Sequence, residues 1–227
     1  MNSSIDMTPI GVVESCFWEK FGTPRQSGLV ASARGKIVFS NEVDSEACRG
    51  LEEFSHLWIL FLFDQVGEKD VRWLVRPPRL GGNEKKGVFA TRSPFRPNRM
   101  GLSLVKLDQV GEGFLSVSGL DLVSGTPVLD VKPYLPYAES IPDAIGGFAE
   151  EAPERLPVEV PKRLREKVSK QELELVMEAL AVDPRPAYHD DPDRVYGCLL
   201  SGYDVKWKVA EQRILVVDIC EAPASNS

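Results

Sequence analysis

The chain has 227 residues, of which 43% are hydrophobic and 27% charged, and its formal net charge is −7. These values fit one large or two small globular domains, and the longest strongly apolar run, residues 57–63 (LWILFLF), is far too short to span a membrane. Four scattered cysteines without a CxxC pair and only two histidines argue against a disulfide framework or a metal centre; with no basic-then-hydrophobic leader at the N-terminus, they point to a reduced, cytoplasmic setting.

In chain order, residues 9–15 (PIGVVES) are predicted to form a first strand through Ile10, Val12 and Val13. Residues 21–28 (FGTPRQSG) are a loop by their Gly, Pro and Ser content. Residues 29–33 and 36–39 (LVASARGKIVF) read as a hairpin turning near Gly35. Asp44 is placed to cap a short helix through Cys48, which Gly50 ends. The run from Phe54 to Gln65 (FSHLWILFLFDQ) is expected to be a strand covered on both faces, with His56 and Asp64 at its ends.

The next stretch, residues 75–107, is too rich in Arg, Pro, Gly and Asn for a plain strand or helix. Between Arg72 and Arg99 the chain carries Arg72, Arg76, Arg79, Lys85, Lys86, Arg92, Arg96 and Arg99 against a single acid, Glu84. A basic island on an acidic protein attracts a polyanion locally. Phe89, Phe95 and Met100 stand among these charges, which is unlike a merely solvated loop. Strands are predicted at residues 87–91 (GVFAT), 102–107 (LSLVKL), 114–118 (FLSVS) and 126–132 (TPVLDVK). Six or seven short strands with little helix before residue 140 indicate a barrel or sandwich.

After Tyr137 the composition changes. Residues 141–157 are rich in Pro, Gly and acids and read as a linker. Residues 161–181 are expected to form one amphipathic helix, with Leu164, Val168, Leu173, Val176 and Leu180 on its apolar face. DPRPAY (residues 183–188) ends it. Three β segments follow at residues 195–200, 203–209 and 214–219; in the second, Tyr203, Val205, Trp207 and Val209 alternate with polar residues.

No GxGxxG follows a strand, and the chain has no P-loop, GxSxG elbow or HExxH. The informative polar segments are FGTPRQ, FSHLW…FDQ, ATRSPFRPNRMG, DLVSGTP and LDVKPYLPYAES. The residues alone fit a non-catalytic RNA-binding barrel of the OB type; a methyltransferase, acting on RNA or on a small molecule, is implied only by the family resemblance of the segments below.

TPRQSG (residues 23–28), FSHLWIL (54–60), RPPRLGG (76–82), GVFATRSPFRPN (87–98) and DLVSGTPVLDVKPYLPYAES (121–140), occurring in this order, resemble the TrmO family of tRNA methyltransferases. The resemblance spans most of residues 8–142 and continues into DPRPAY and YDVKWKV. It implies a mostly antiparallel N-terminal β-barrel, neither Rossmann nor SPOUT, that binds S-adenosylmethionine, followed by a small α+β C-terminal domain. The implied division is a barrel domain over 1–142, a linker over 143–157 and a C-terminal domain over 158–227. It also implies a homodimer acting on tRNA that carries threonylcarbamoyladenosine beside the anticodon, with N6-methyl-N6-threonylcarbamoyladenosine as product, and no metal or membrane.

Carried over by position, the implied cofactor residues are Pro24, Arg25, Gln26, Asp64, Gln65, Arg92, Leu102, Val123, Ser124, Gly125 and Thr126. Arg92 suits the cofactor carboxylate, with a phosphate or structural contact as the plainer alternative. Arg25 suits the cofactor or tRNA. The turn at 123–126 can present N–H and C=O groups to adenine or to the methionine ends of the cofactor. Asp121 and Asp130 are the candidate proton acceptors, with a capped turn or barrel salt bridge as the plainer alternative. Lys132 or Tyr134 would bind the threonyl carboxylate. Arg96, Asn98 and Arg99 are expected to meet tRNA, and Phe95 to stack on an unpaired base.

Overall fold

A computed structural model describes residues 5–185 and 191–222, so the end of DPRPAY and His189 lie outside the described residues. Six strands close a wholly antiparallel barrel: β1 (Gly11–Ser15), β2 (Arg34–Phe39), β3 (His56–Leu62), β6 (Met100–Gly111), β7 (Phe114–Ser118) and β8 (Pro127–Pro133), in the order β1-β2-β7-β6-β3-β8. Two short strands, β4 (Leu74–Val75) and β5 (Lys86–Gly87), form a separate ribbon within the β3–β6 connection. The alternation that makes these strands is visible in burial. Leu57, Ile59 and Phe61 of β3 point inward, as do Ser103, Val105 and Leu107 of β6.

Register places three of the connections at one end. Ser15 of β1 lies opposite Gly35 of β2, Arg34 opposite Ser118 of β7, and Leu62 of β3 opposite Met100 of β6. The β1–β2, β3–β6 and β7–β8 connections therefore all leave the same rim, here called the mouth. The far end carries the tight β6–β7 turn and the departure of β8 into a short helix, α1 (Pro136–Glu139).

The C-terminal part is a four-stranded sheet, β10 (Tyr196–Leu200), β11 (Tyr203–Ala210), β12 (Arg213–Glu221) and β9 (Val158–Glu159), with helices α2 (Lys162–Arg165) and α3 (Lys170–Ala181). Val205, Trp207 and Val209 of β11 are buried as their alternation requires. This sheet shares its core with the barrel. Phe17 bridges to Leu200, Phe21 stacks on Trp207 with centroids 5.9 Å apart, and Glu178 of α3 accepts from the Ser32 amide and hydroxyl at 2.9 and 2.8 Å. The loop between β1 and β2 is thus clamped from the C-terminal side.

Four expectations need correction. Residues 29–33 are turns, not a strand. Gly35 lies inside β2, where a Cβ would come within 2.4 Å of the Glu14 carbonyl, and β2 takes its partners from β1 and β7. GVFAT is not a barrel strand: only Gly87 pairs, and Val88–Ala90 is a 3-10 turn closed by the Thr91 hydroxyl on the Val88 carbonyl at 2.9 Å. Strand β3 is buried on one face only, its other face being half-exposed. The single helix over 161–181 is two, because Ser169 forms a capping box with Glu172 and starts α3 afresh.

Candidate active site at the barrel mouth

Three loops and one strand end build the mouth. Gln26 and Arg25 come from the β1–β2 loop, Arg92 from the β3–β6 connection, and Asp121 from the β7–β8 loop. Ser103 sits on the inward face of β6. Arg92 Nη1 donates to Gln26 Oε1 at 2.5 Å, and the Ser103 hydroxyl donates to Asp121 Oδ1 at 2.6 Å. The Gly28 amide donates to the Gly119 carbonyl at 2.8 Å, tying two of the loops together where both glycines have positive φ, 78° and 73°.

Asp121 is largely buried, and desolvation lifts its pKa above the ordinary carboxylate value. The Ser103 hydroxyl, the Ser27 main chain and the positive charge of Arg92 pull the other way. A carboxylate held partly dry beside an arginine is a group that can accept a proton, and such environments concentrate where catalysis occurs. Ser103 escaped the sequence reading. Its signal was a hydroxyl at an inward position of an otherwise apolar strand face.

The other expected residues divide by place. Pro24 is buried in the first loop, and Arg25 reaches the Arg185 carbonyl at 3.3 Å. Asp64 and Gln65 are exposed where β3 ends, the Gln65 carbonyl lying 3.5 Å from the Lys20 amine. Leu102 is the third residue of β6, 49% exposed, on the outer wall. In the turn at 123–126, the amides of Ser124, Gly125 and Thr126 donate to the carbonyls of Phe17, Val13 and Val123. Three of its N–H groups are therefore spent on the fold, and the Ser124 and Gly125 carbonyls remain to meet a donor.

Asp130 does not face the mouth. A bulge beside it turns it onto the outer wall opposite Leu60, where Lys132 Nζ pairs with it at 2.7 Å. Tyr134 is at the far end, packed edge-on against His56 and Trp58. Within one chain, Lys132 and Tyr134 are thus separated from Asp121.

Arg96 and Arg99 are turned into their own loop. Arg96 donates to the Val88 and Thr91 carbonyls at 3.2 and 2.7 Å. Arg99 donates to the Val66 carbonyl at 2.7 Å and adopts a left-handed φ of 48°. Asn98 is exposed between them. Phe95 is half-buried beneath the Arg72 guanidinium, 3.9 Å from its centroid.

An open cavity of about 1080 Å³ lies elsewhere, between the outer wall of β1, β2, β6 and β7 and the Ser201–Gly202 turn. Of the expected residues only Ser124 lines it. The Asp121 carboxylate and the Arg92 guanidinium lie at the mouth instead, near enough for the positive charge to lower the carboxyl's pKa.

Comparison with known proteins decides the family. Residues 12–140 match the model of the tRNA-methyltransferase O N-terminal domain, and residues 153–222 match that of the TrmO C-terminal domain. The chain belongs to the TrmO family. Among TrmO relatives, the tRNA (adenine(37)-N6)-methyltransferase of Escherichia coli is 48% identical over 223 residues, covering 92% of this chain and 95% of that protein. A probable S-adenosyl-L-methionine-binding protein of Methanothermobacter thermautotrophicus is 42% identical over 138 residues, which are 60% of this chain and 95% of that one. The crystal structure of TrmO from Pseudomonas aeruginosa superposes with a TM-score of 0.83 at 38% identity, covering 98% of this chain and 99% of that one.

Proposed function

We propose that the chain methylates N6 of threonylcarbamoyladenosine beside the tRNA anticodon, with S-adenosylmethionine as donor. The observation that carries this reading is Asp121, largely buried at the mouth beside Arg92 and continuous with the basic island. The residues there fit the donor: a guanidinium for its carboxylate, turn carbonyls for an amino group, and an anionic side chain near its positive charge. Relatives named for adenine(37)-N6 methylation and for S-adenosylmethionine binding support the same assignment.

When bound, S-adenosylmethionine supplies an electrophilic methyl carbon on a sulfonium. Gln26 accepts from Arg92 and fixes its guanidinium to hold the donor's carboxylate. The Ser124 and Gly125 carbonyls would be available to the donor's adenine amino group. The target nitrogen is urea-like, its lone pair delocalised into the carbamoyl group, so its proton must leave as the N–C bond forms. Asp121 takes that proton, and Ser103 keeps the carboxylate aimed. Holding the partners in line lowers the barrier by roughly 7–11 kcal/mol, and the base adds about a hundred- to ten-thousandfold.

We also infer a homodimer through the outer wall of β8, β3 and β6. Trp58, Leu60 and Leu62 are half-exposed there, and Met100 and Leu102 are 38% and 49% exposed. Such an apolar strip favours a self-complementary contact. Residues 1–142 then carry the chemistry, 143–157 link, and 158–227 hold the β1–β2 loop in place. A tRNA substrate places the enzyme in the cytoplasm. Calorimetric titration with S-adenosylmethionine tests the donor site: the wild type binds, and Arg92→Ala loses at least tenfold in affinity. Absence of wild-type binding would favour a non-catalytic RNA-binding barrel.

A further inference from the structure

We propose that Trp73 and Phe89 form a stacking platform for one unpaired base of the tRNA loop, next to the base that is methylated. This rests on the tRNA reading above and assigns a contact to residues outside the catalytic cluster. Both rings are out in solvent, Trp73 at 65% and Phe89 at 72% exposure, and they meet edge to face with centroids 6.5 Å apart.

Two exposed aromatics side by side are costly to leave in water, and here the backbone fixes them. The β4–β5 ribbon pairs Leu74 with Gly87 and Val75 with Lys86, and the Val88 amide donates to the Trp73 carbonyl at 3.0 Å. The 3-10 turn Val88–Ala90 then carries Phe89 into the segment that ends in Arg92 at the mouth. Arg96, anchored on two loop carbonyls, holds its guanidinium 5.7 Å from the Phe89 ring. Little ordering is left for a ligand to supply, which favours binding.

The surrounding charge chooses the occupant. Arg72, Arg76, Lys85 and Arg92 flank the two rings in sequence, on a chain of formal charge −7. A partner that offers flat apolar faces together with regularly spaced negative charge is a single-stranded nucleic acid. A second copy of the chain is disfavoured, because a two-fold contact at this patch would bring one basic island against the other. Phe95, the ring expected from sequence to stack on a base, already has the Arg72 guanidinium over its face.

The test uses the full chain and an anticodon stem-loop RNA carrying 2-aminopurine beside the target adenosine, whose fluorescence falls on stacking. Wild type is expected to bind and quench. Trp73→Ala and Phe89→Ala are expected to bind about five- to 150-fold more weakly, the range that loss of one base–aromatic stack gives. The salt dependence of binding should keep its wild-type slope, since no charge is removed. Affinity for S-adenosylmethionine should be unchanged, showing the variants folded, and Trp73→Phe should recover most of the RNA affinity. Wild-type affinity and quenching in both alanine variants would overturn the platform while leaving the tRNA reading intact. So would a loss that tracks dissociation into monomers by sedimentation, which would assign the rings to a protein contact. If the wild type itself shows no salt-dependent binding to the stem-loop, the tRNA reading and the platform fall together.

Discussion

Burial raises the Asp121 carboxyl while Ser103, Arg92 and the Ser27 main chain draw it down, and burial outweighs them. Asp121→Asn is expected to cut single-turnover methylation by about a hundred- to ten-thousandfold at saturating S-adenosylmethionine. The same substitution should alter stability with a definite sign. A carboxyl whose pKa is raised on folding binds its proton more tightly in the folded state. Stability from this group is then lost as pH rises from the unfolded value of 3.8 to the raised folded one. Asp121→Asn should therefore melt higher than wild type at neutral pH and lose that advantage below the window, a comparison for calorimetry in matched buffers. The carboxylate was legible in DLVSGTP as one of two candidates. Choosing between Asp121 and Asp130 was not, because the β8 bulge that turns Asp130 outward depends on its pairing with β3. Arg96 and Arg99 carried a similar ambiguity. Their charge was legible, but the Val66, Val88 and Thr91 carbonyls that receive them come from elsewhere in the folded connection. Replacing either should therefore disorder the loop and weaken both donor and tRNA binding, where a purely electrostatic role would weaken tRNA binding alone.

Strands with strict alternation were readable one by one, and β7 falls on the expected residues, 114–118. Elements that depend on a partner were not. GVFAT has the composition of a strand, yet no barrel edge is left for it to join. The break between α2 and α3 was written in the sequence as Ser169-x-x-Glu172 and overridden by the apolar spacing around it. Ser169→Ala should cost about 1 kcal/mol and lower the melting temperature by roughly 2–4 °C. Gly101 marks a different constraint. A Cβ there would lie 2.1 Å from the Phe61 ring, across the β3–β6 pair that opens onto the mouth. Gly101→Val is expected to destabilise the barrel far more than Gly87→Val, whose added Cβ would meet nothing within 4 Å at an ordinary φ of −59°. Thermal melts of the two variants provide the comparison.

At the scale of the molecule, closure of the barrel gathers three connections distant in sequence onto one rim, and the C-terminal sheet and helix brace one of them. That convergence was beyond periodicity, which finds strands but not the order in which they pair. It was reachable only through the resemblance to a known family. The outer wall of β8, β3 and β6 gives the proposed dimer a direct check: Leu60→Arg should sediment as a monomer at concentrations where wild type is dimeric. The basic ridge beside the mouth is proposed to select a tRNA whose target base already carries a carboxylate. Methyl transfer from labelled S-adenosylmethionine should be followed on one tRNA, prepared with and without threonylcarbamoylation. Transfer to the threonylcarbamoylated tRNA and none to the unmodified one is the expected result; equal transfer to both, or to neither, would contradict it.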